Sequence, residues 1–177
     1  MSGGVRGAHG PELRGGPFDD VVAANTAYAA AYALGAAEAR AAKQLCVLTC
    51  MDARLDPLRM LGLAPGDAKI LRNPGARVTD DVLGALVVAH YLLGAARFML
   101  VAHTRCAMAS GDEESLHAAI AAAGGPDTHR LRFPTTGDQD AAVRGDVERV
   151  RAFPLLDSLT SGGFVIDIDT GRLRQVC

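Results

Sequence analysis

Three short apolar runs, separated by segments with helical spacing, constrain the fold of this chain more than any other feature. The runs are QLCVLTC (residues 44–50), AKILR (68–72) and ARFMLVA (96–102). Each run has the length of a buried strand, and the segments between them repeat apolar residues at the helical period. Parallel neighbouring strands need a crossover connection, and helices usually provide it. The sequence therefore predicts an α/β fold with a central, mostly parallel sheet flanked by helices.

The predicted helices and the last strands follow from local signals. TDDVLGALVVAHYLLG (79–94) starts with a Thr cap and two acids and ends at a glycine. GDEESLHAAIAAAGG (111–125) predicts another helix, and DQDAAVRGDVERVRAF (138–153) a polar one, weakened by Gly145, which we expect on the surface. The alternating stretch FVIDIDTGRLRQV (164–176) predicts a C-terminal hairpin or an added edge strand.

Length and composition favour a single domain. The chain has 177 residues, of which 49% are hydrophobic and 21% charged, as is typical of a globular protein with one core. Residues 1–17 are Gly-rich and lack periodicity, which predicts a flexible tail before one domain at 18–177. An Ala-rich helix is expected from Asp19 or Asp20 to about Arg40. Its small, weakly hydrophobic faces suggest that it packs on a larger surface, such as a second subunit.

Charge and cysteine content exclude several classes of protein. The net charge of −2 gives no field that would hold a nucleic acid or an anionic membrane. We find no signal-peptide pattern and no apolar run of roughly 18 residues, so we expect a cytoplasmic protein that does not bind membranes. The four cysteines are then expected to be thiols or metal ligands rather than a disulfide framework.

Cysteine and histidine side chains follow two of the predicted strands. Cys50 closes the first strand, and His103 and Cys106 come directly after the third. Because parallel sheets present ligands beyond the carboxyl ends of their strands, the three side chains converge if these strands are neighbours. Two thiolates and one imidazole suit Zn²⁺ and leave one tetrahedral position for water or substrate. The sequence therefore predicts a catalytic zinc site.

These residues lie in motifs that resemble those of the β-class carbonic anhydrases. CMDAR (50–54) matches the family's Cys-x-Asp-x-Arg motif, HTRC (103–106) its His-x-x-Cys motif, and RNPGARVTDDVLGAL (72–86) its Arg-Asn-x-Gly segment. The resemblance implies that the two cysteines and the histidine bind zinc and that the protein reversibly hydrates CO2 to bicarbonate and a proton. It also implies a homodimer or higher oligomer in which the N-terminal helix packs on the partner subunit.

Asp52 and Arg54, in the first of these motifs, fit roles that CO2 hydration requires. A carboxylate beside zinc can bind the metal and block the site, whereas one held by a bidentate guanidinium is restrained. We interpret Asp52 as the hydrogen-bond acceptor for the reactive water and Arg54 as the residue that restrains it. If the pair breaks, Asp52 becomes a fourth zinc ligand in a closed state, and the sequence leaves open which state dominates.

Gly75 has two interpretations. The glycine of NPGA (73–76) can let the backbone approach the metal pocket, but an ordinary turn between a strand and a helix explains the same residues equally well.

Other functions remain open at this point. Some relatives of the family hydrolyse carbonyl sulfide or carbon disulfide, and no residue of this chain discriminates reliably between those substrates and CO2. A zinc-binding or regulatory protein with weak or lost catalysis is another alternative. Arg105 and Ala107 are its only hints, because the family usually has glycine directly after the second cysteine and a small or polar residue before it. A redox role for Cys46 and Cys50 is a weaker alternative, because C-x-x-x-C is not the usual redox spacing.

Overall fold

The computed structural model describes residues 16–35, 38–109 and 111–177. This part of the chain contains α1 (Asp19–Ala30), α2 (Pro57–Met60), α3 (Asp80–Tyr91), α4 (Glu113–Ala122) and α5 (Gln139–Arg151), together with β1 (Leu45–Cys50), β2 (Ala68–Asn73), β3 (Arg97–His103), β4 (Thr160–Ile166) and β5 (Leu173–Gln175). The chain divides into two units, Met1–Ala37, which carries α1, and Glu38–Cys177, which carries the sheet.

The strands form one sheet in the order β2-β1-β3-β4-β5. The four strands from β2 to β4 are parallel, and β5 pairs with β4 in the antiparallel direction. The predicted α/β fold with a mostly parallel sheet and a C-terminal hairpin is therefore confirmed. Because β1 lies between β2 and β3, the ends of the first and third strands are neighbours.

The sheet separates two apolar clusters. Successive side chains of a strand point to opposite faces, so Leu48 belongs to one cluster and Val47 to the other, and both are fully buried. The larger cluster also contains Leu86 of α3 and Val147 of α5. The smaller cluster contains Val101 and Ile166, along with Cys50 and Cys106, so the predicted site borders this smaller core.

Capping side chains set the starts of the helices that flank the sheet. Thr79 accepts a hydrogen bond from the amide of Val82 at 3.4 Å, at the start of α3. The predicted helix over 79–94 is thus confirmed, and α3 runs from Asp80 to Tyr91. Such caps fix where a helix begins because they satisfy amides that lack a partner within the helix.

The N-terminal helix is shorter than predicted. It was expected to continue to about Arg40, but α1 ends at Ala30, and none of its residues is buried. Ala-rich sequence gives helix propensity only, whereas most helical stability in proteins comes from tertiary packing of an apolar face.

Residues 1–15 of the predicted tail lie outside the described residues. The first described residue is Gly16, whose amide donates to the side chain of Asp19 at 2.7 Å. No helix in the described ranges combines the length and the apolar character needed to cross a bilayer.

Helix α5 is not the surface helix that its polar sequence predicted. One face of it is buried against the sheet through Val143, Val147 and Val150, and the charged residue Asp146 is buried on the same face. The helix packs closely on β4, since a Cβ atom at Gly163 would lie 2.4 Å from Cγ1 of Val143. Because Asp146 is charged and lies among these valines, the buried face looks polar in the sequence.

Replacing Gly163 with alanine tests this close packing. Gly163→Ala should lower the free energy of unfolding by about 1–3 kcal/mol, because the added methyl group overpacks the β4–α5 contact. Gly145→Ala is the matched control. A Cβ atom there meets nothing within 4 Å, so helix propensity should raise stability by about 0.5–1 kcal/mol. Urea denaturation measures both, and a Gly163→Ala protein as stable as the parent would contradict the packing described here.

Candidate metal centre

The three predicted ligands converge at the carboxyl ends of β1 and β3. Cys50 is the last residue of β1, His103 is the last residue of β3, and Cys106 follows three positions later. All three side chains are buried, and their ligand atoms lie within 4.8 Å of one another. No other group of three potential metal ligands this close occurs in the described ranges. Parallel pairing of β1 with β3 thus brings together residues that are about fifty positions apart in the sequence.

The spacing of the two sulfur atoms fits zinc. The Sγ atoms of Cys50 and Cys106 are 3.9 Å apart. In a tetrahedral site with Zn–S bonds of about 2.3 Å, two sulfur ligands lie about 3.8 Å apart. A disulfide would instead require about 2.05 Å. The two thiols are free and stand at the distance that two ligands of one zinc ion would have.

His103 presents an unpaired nitrogen at the same place. Its Nδ1 atom lies 2.9 Å from the carbonyl oxygen of Thr104, which can only accept, so Nδ1 carries the proton. The other nitrogen, Nε2, then has a free lone pair, and it is buried without a hydrogen-bond partner. Buried polar atoms are normally paired, and a metal-binding histidine typically donates its other N–H to a carbonyl or carboxylate. The orphaned nitrogen therefore fits a metal ligand.

The two thiols differ in their readiness to ionise. A hydrogen bond shared with Cys106 lowers the pKa of the Cys50 thiol to about 4, against the opposing effect of burial. The same hydrogen bond and burial raise the pKa of Cys106. A further hydrogen bond reaches the Cys50 sulfur from the amide of Gly75 at 3.4 Å. The shared hydrogen bond thus favours ionisation of the Cys50 thiol, and the thiolate is the form that binds metals.

Asp52 is held beside this cluster by Arg54. The Arg54 side chain donates from Nε to Oδ1 at 2.9 Å and from Nη2 to Oδ2 at 2.7 Å, and its backbone amide donates to Oδ1 at 2.9 Å. These bonds keep the pKa of the Asp52 carboxyl well below its usual range. The Oδ2 atom of Asp52 accepts one of these three hydrogen bonds, and it lies 3.8 Å from Nε2 of His103. One carboxylate oxygen is therefore directed at the cluster while the other is fully engaged.

Arg72 supports this arrangement, and the sequence reasoning assigned it no separate role. Its Nε donates to the carbonyl oxygen of Cys50 at 3.0 Å and its Nη2 to that of Asp52 at 2.7 Å. Arg72 is on β2, next to the end of β1, and so fixes the backbone that carries the thiol and the carboxylate. Its position directly before the Asn-Pro-Gly turn was the available signal, but sequence alone does not show where an arginine donates.

The geometry of Gly75 is compatible with both of its interpretations. Its φ of 77° places it in the left-handed region, as a tight turn requires. Its amide also approaches the Cys50 sulfur, and a Cβ atom at this position would lie 3.0 Å from Cβ of Met108. The turn therefore brings the backbone to the metal cluster at a point where a side chain would not fit.

The side chains of the two residues that depart from the family motif, Arg105 and Ala107, are exposed. The guanidinium of Arg105 is exposed and pairs with Asp169 at 2.6 Å, which offsets the charge that it brings near the site. Ala107 is exposed, so its methyl group is not confined against the metal ligands. Neither side chain is buried among the predicted metal ligands.

The redox alternative for Cys46 and Cys50 does not fit the strand geometry. Both residues are on β1, four positions apart, which corresponds to about 13 Å at about 3.3 Å per residue. A disulfide needs Cα atoms within about 7 Å of each other. Burial also raises the pKa of the Cys46 thiol to about 12, so it is a poor nucleophile.

An α/β sheet that places two free cysteines, an imidazole and a restrained carboxylate at adjacent strand ends defines a class of candidate metalloenzymes. The carbonic anhydrase family profile matches residues 45–124. The chain is 36% identical over 161 residues to β-carbonic anhydrase 1 of Mycobacterium bovis, covering 89% of this chain and 96% of that protein. The chain belongs to the β-carbonic anhydrase family.

Solved structures and other relatives agree with this assignment. The crystal structure of carbonic anhydrase from Streptococcus mutans superposes with a TM-score of 0.86 at 32% identity, covering 93% of this chain and 100% of that one. A carbon disulfide hydrolase of Acidithiobacillus thiooxidans is 28% identical over 152 residues, covering 75% of this chain and 76% of that protein.

Gly75→Ala should show that this turn needs glycine. Left-handed backbone at an alanine costs about 1–2 kcal/mol, and the contact with Met108 should add about 1–3 kcal/mol. Gly62→Ala is the control, because Gly62 also has a positive φ but an added Cβ meets nothing within 4 Å. Urea denaturation should show the larger loss of stability for Gly75→Ala. Equal losses in the two variants would mean that Met108 does not restrict the turn.

Proposed function

We propose that this protein catalyses the zinc-dependent, reversible hydration of CO2 to bicarbonate and a proton. The observation that carries the proposal is the buried cluster of Cys50, His103 and Cys106, in which Nε2 of His103 has no hydrogen-bond partner. The restrained carboxylate of Asp52 beside it supports a catalytic site over a purely structural one. Membership of the β-carbonic anhydrase family supports the choice of substrate.

Cys50, His103 and Cys106 would hold the zinc ion through two sulfur atoms and one nitrogen. Zinc bound in this way lowers the pKa of a water ligand to about 7 and so supplies a nucleophile near neutral pH. Three protein ligands leave the fourth tetrahedral position for that chemistry. The carbonyl of Thr104 holds the His103 ring in the tautomer whose Nε2 faces the cluster.

Asp52 would orient the attacking oxygen. Because Arg54 keeps the carboxylate ionised, Asp52 can only accept hydrogen bonds, and its Oδ2 atom is the oxygen directed at the cluster. An acceptor at this place engages the proton of the attacking oxygen and leaves a lone pair of that oxygen free to meet the carbon of CO2. The gain in rate from this arrangement comes from the orientation of the attacking oxygen.

Arg54 would determine whether the site is open. Its two side-chain hydrogen bonds keep Asp52 in a bidentate pair, which is the arrangement expected of an open site. Side chains of both residues are partly exposed, so the pair is accessible to solvent and the closed state with Asp52 as a fourth ligand remains a hypothesis. Metal coordination measured by X-ray absorption across a range of pH distinguishes the two states.

Metal content and CO2 turnover, measured on the same sample, test the proposal. We expect one zinc ion per chain by elemental analysis, and CO2 hydration by stopped flow that is lost with a chelator and restored by zinc. Asp52→Asn should retain zinc but lose about 100-fold in kcat, since misplacing a reacting group by about 1 Å can cost about 100-fold.

Asp56→Asn is the matched control for Asp52→Asn. Asp56 caps α2, where asparagine serves equally well, so the same substitution four positions along should leave turnover unchanged. Zinc-loaded protein that does not hydrate CO2 would instead favour a zinc-binding protein without catalysis. Protein that binds no zinc would refute the ligand assignment.

Hydrolysis of carbon disulfide or carbonyl sulfide is the second candidate, and the similarity to a carbon disulfide hydrolase supports it. These molecules share with CO2 a linear shape and an electrophilic central carbon, so the same nucleophile and the same Asp52 would serve. Turnover of the three substrates should be compared on one zinc-loaded preparation. The proposal of CO2 hydration requires the highest kcat/KM for CO2.

We further propose that the chain forms a homodimer or a higher homo-oligomer through α1. This helix exposes large apolar side chains that a monomer leaves in water, among them Val22 and Tyr28, which are 63% and 58% exposed.

A cytoplasmic location stays a prediction. It is supported by the free thiols of Cys50 and Cys106, which a reducing compartment would preserve.

A charge placed on α1 tests this oligomer. Val22→Glu combined with Tyr28→Glu should convert the protein to a monomer in light scattering coupled to size exclusion, because a second copy would have to bury both charges. Ala27→Glu, at an exposed residue on the opposite side of the same helix, is the control and should leave the mass unchanged. A parent protein that is already monomeric at micromolar concentration would contradict the proposal.

A further inference from the structure

Helix α5 contacts the backbone of one predicted ligand directly. The side chain of Gln139, in the first turn of α5, donates from Nε2 to the carbonyl oxygen of His103 at 2.8 Å. Hydrogen bonds therefore hold His103 both at its backbone carbonyl and at its ring, because the ring donates to the carbonyl of Thr104. A residue outside every motif of the sequence thus fixes the end of β3.

The same helix holds the turn that contacts the other half of the cluster. Arg77 donates to Asp146 of α5 from Nε at 2.6 Å and from Nη2 at 3.4 Å, and to the carbonyl of Pro134 at 3.1 Å. The backbone of Arg77 is paired with the side chain of Asn73 through two hydrogen bonds, of 2.7 Å and 2.9 Å. Residues 73–77 are therefore anchored at both ends, and the Gly75 amide within them donates to the Cys50 sulfur.

The placement of these two contacts on α5 follows from the helical period. Gln139 and Asp146 are seven positions apart, which is two turns, so they share one face of the helix. One rigid element thus contacts both the His103 end and the Cys50 end of the cluster. Helix α5 therefore adds a link between the two ends of the cluster beyond the pairing of β1 with β3.

A contribution to stability alone does not explain why an ion pair occupies this place. The Asp146 side chain is 8% exposed and that of Arg77 is 23% exposed, so both charges lose much of their hydration. Replacing a buried ion pair with apolar residues of similar volume is often neutral or stabilising. What the pair provides, and apolar residues would not, is a fixed orientation of Arg77 through bonds of defined direction.

We infer that Gln139 and Asp146 are positioning residues of the metal centre, and that α5 braces the His103 and Cys50 halves of the cluster against each other through them. Asp146 acts through Arg77 on the turn whose Gly75 amide contacts Cys50, and Gln139 acts on the His103 carbonyl. This inference rests on the proposed function, because it concerns how tightly the cluster holds zinc.

Zinc affinity and stability, measured on the same variants, test the brace. Asp146→Asn and Gln139→Met should each weaken zinc binding about 10-fold or more in a chelator competition, as changes to residues that orient metal ligands typically do. The double variant R77M/D146L should recover the urea midpoint of the parent but not its zinc affinity. In the cobalt-substituted protein, these variants should also shift the thiolate-to-cobalt absorption bands, which report ligand geometry without reference to activity.

Asp140→Asn is the matched control, because Asp140 lies on the same helix and pairs with Arg174 on the surface, away from the 73–77 turn. It should match the parent in zinc affinity and in the cobalt spectrum. Recovery of both stability and affinity in R77M/D146L would overturn the inference, since the pair would then be structural only. Unchanged affinity in Asp146→Asn and Gln139→Met, with normal zinc binding by the parent, would overturn the brace alone, whereas a parent without zinc would overturn the proposed function as well.

Discussion

The candidate metal centre depends on the register of β1 against β3. In the parallel pairing, Thr49 is opposite Val101, which puts Cys50 and His103 at adjacent strand ends. The side-chain period of a strand is two residues, so a slip by one residue would turn the His103 side chain to the opposite face and separate the ligands. The buried residues Val47 and Leu48 resist such a slip, because each would move to the wrong apolar cluster. Core packing thus determines the geometry of the site.

The site itself combines a local and a distant part. Cys50, Asp52 and Arg54 are close in sequence, and the Arg72 side chain from the neighbouring strand binds the backbone that carries the first two of them. His103 arrives from β3, and its loop is held by β4, where the amide of Thr104 donates to the carbonyl of Ile166 at 3.0 Å. The local part sets the electrostatics of the carboxylate, and the distant part completes the ligand set.

Sequence reasoning recovered those features that repeat or stand at strand ends. Short apolar runs and a capped helix such as α3 carry strong local signals, and the carboxyl ends of parallel strands are where ligands gather. The valines of α5 do recur at the helical spacing i, i+4 and i+7, but the acidic residue Asp146 occupies the i+3 position of the same face, and the remaining polar residues led to the prediction of a surface helix. The link between Arg77 and Asp146 joins residues 69 positions apart, and nothing local to either residue specifies that partner.

The loops that carry the site hold conformations that their own residues disfavour. Among the described non-glycine residues, positive φ occurs at Gln44, Ala76 and Arg105. Ala76 directly follows Gly75, and Arg105 directly precedes Cys106, so two of these three residues are adjacent to groups of the metal centre. A residue held in this region costs on the order of 1–3 kcal/mol and persists only where surrounding contacts impose it.

Those contacts are identifiable on both loops. Asn73 and Arg77 anchor the turn that contains Ala76, and the hydroxyl of Thr104 accepts a hydrogen bond from the amide of Ile168 at 2.9 Å beside Arg105. Strain concentrated next to the predicted metal ligands, and offset by the contacts of α5 and of the chain after β4, is expected where a backbone must direct an amide at a sulfur atom. The stability of the surrounding fold therefore maintains a geometry that the loop sequences would not adopt alone.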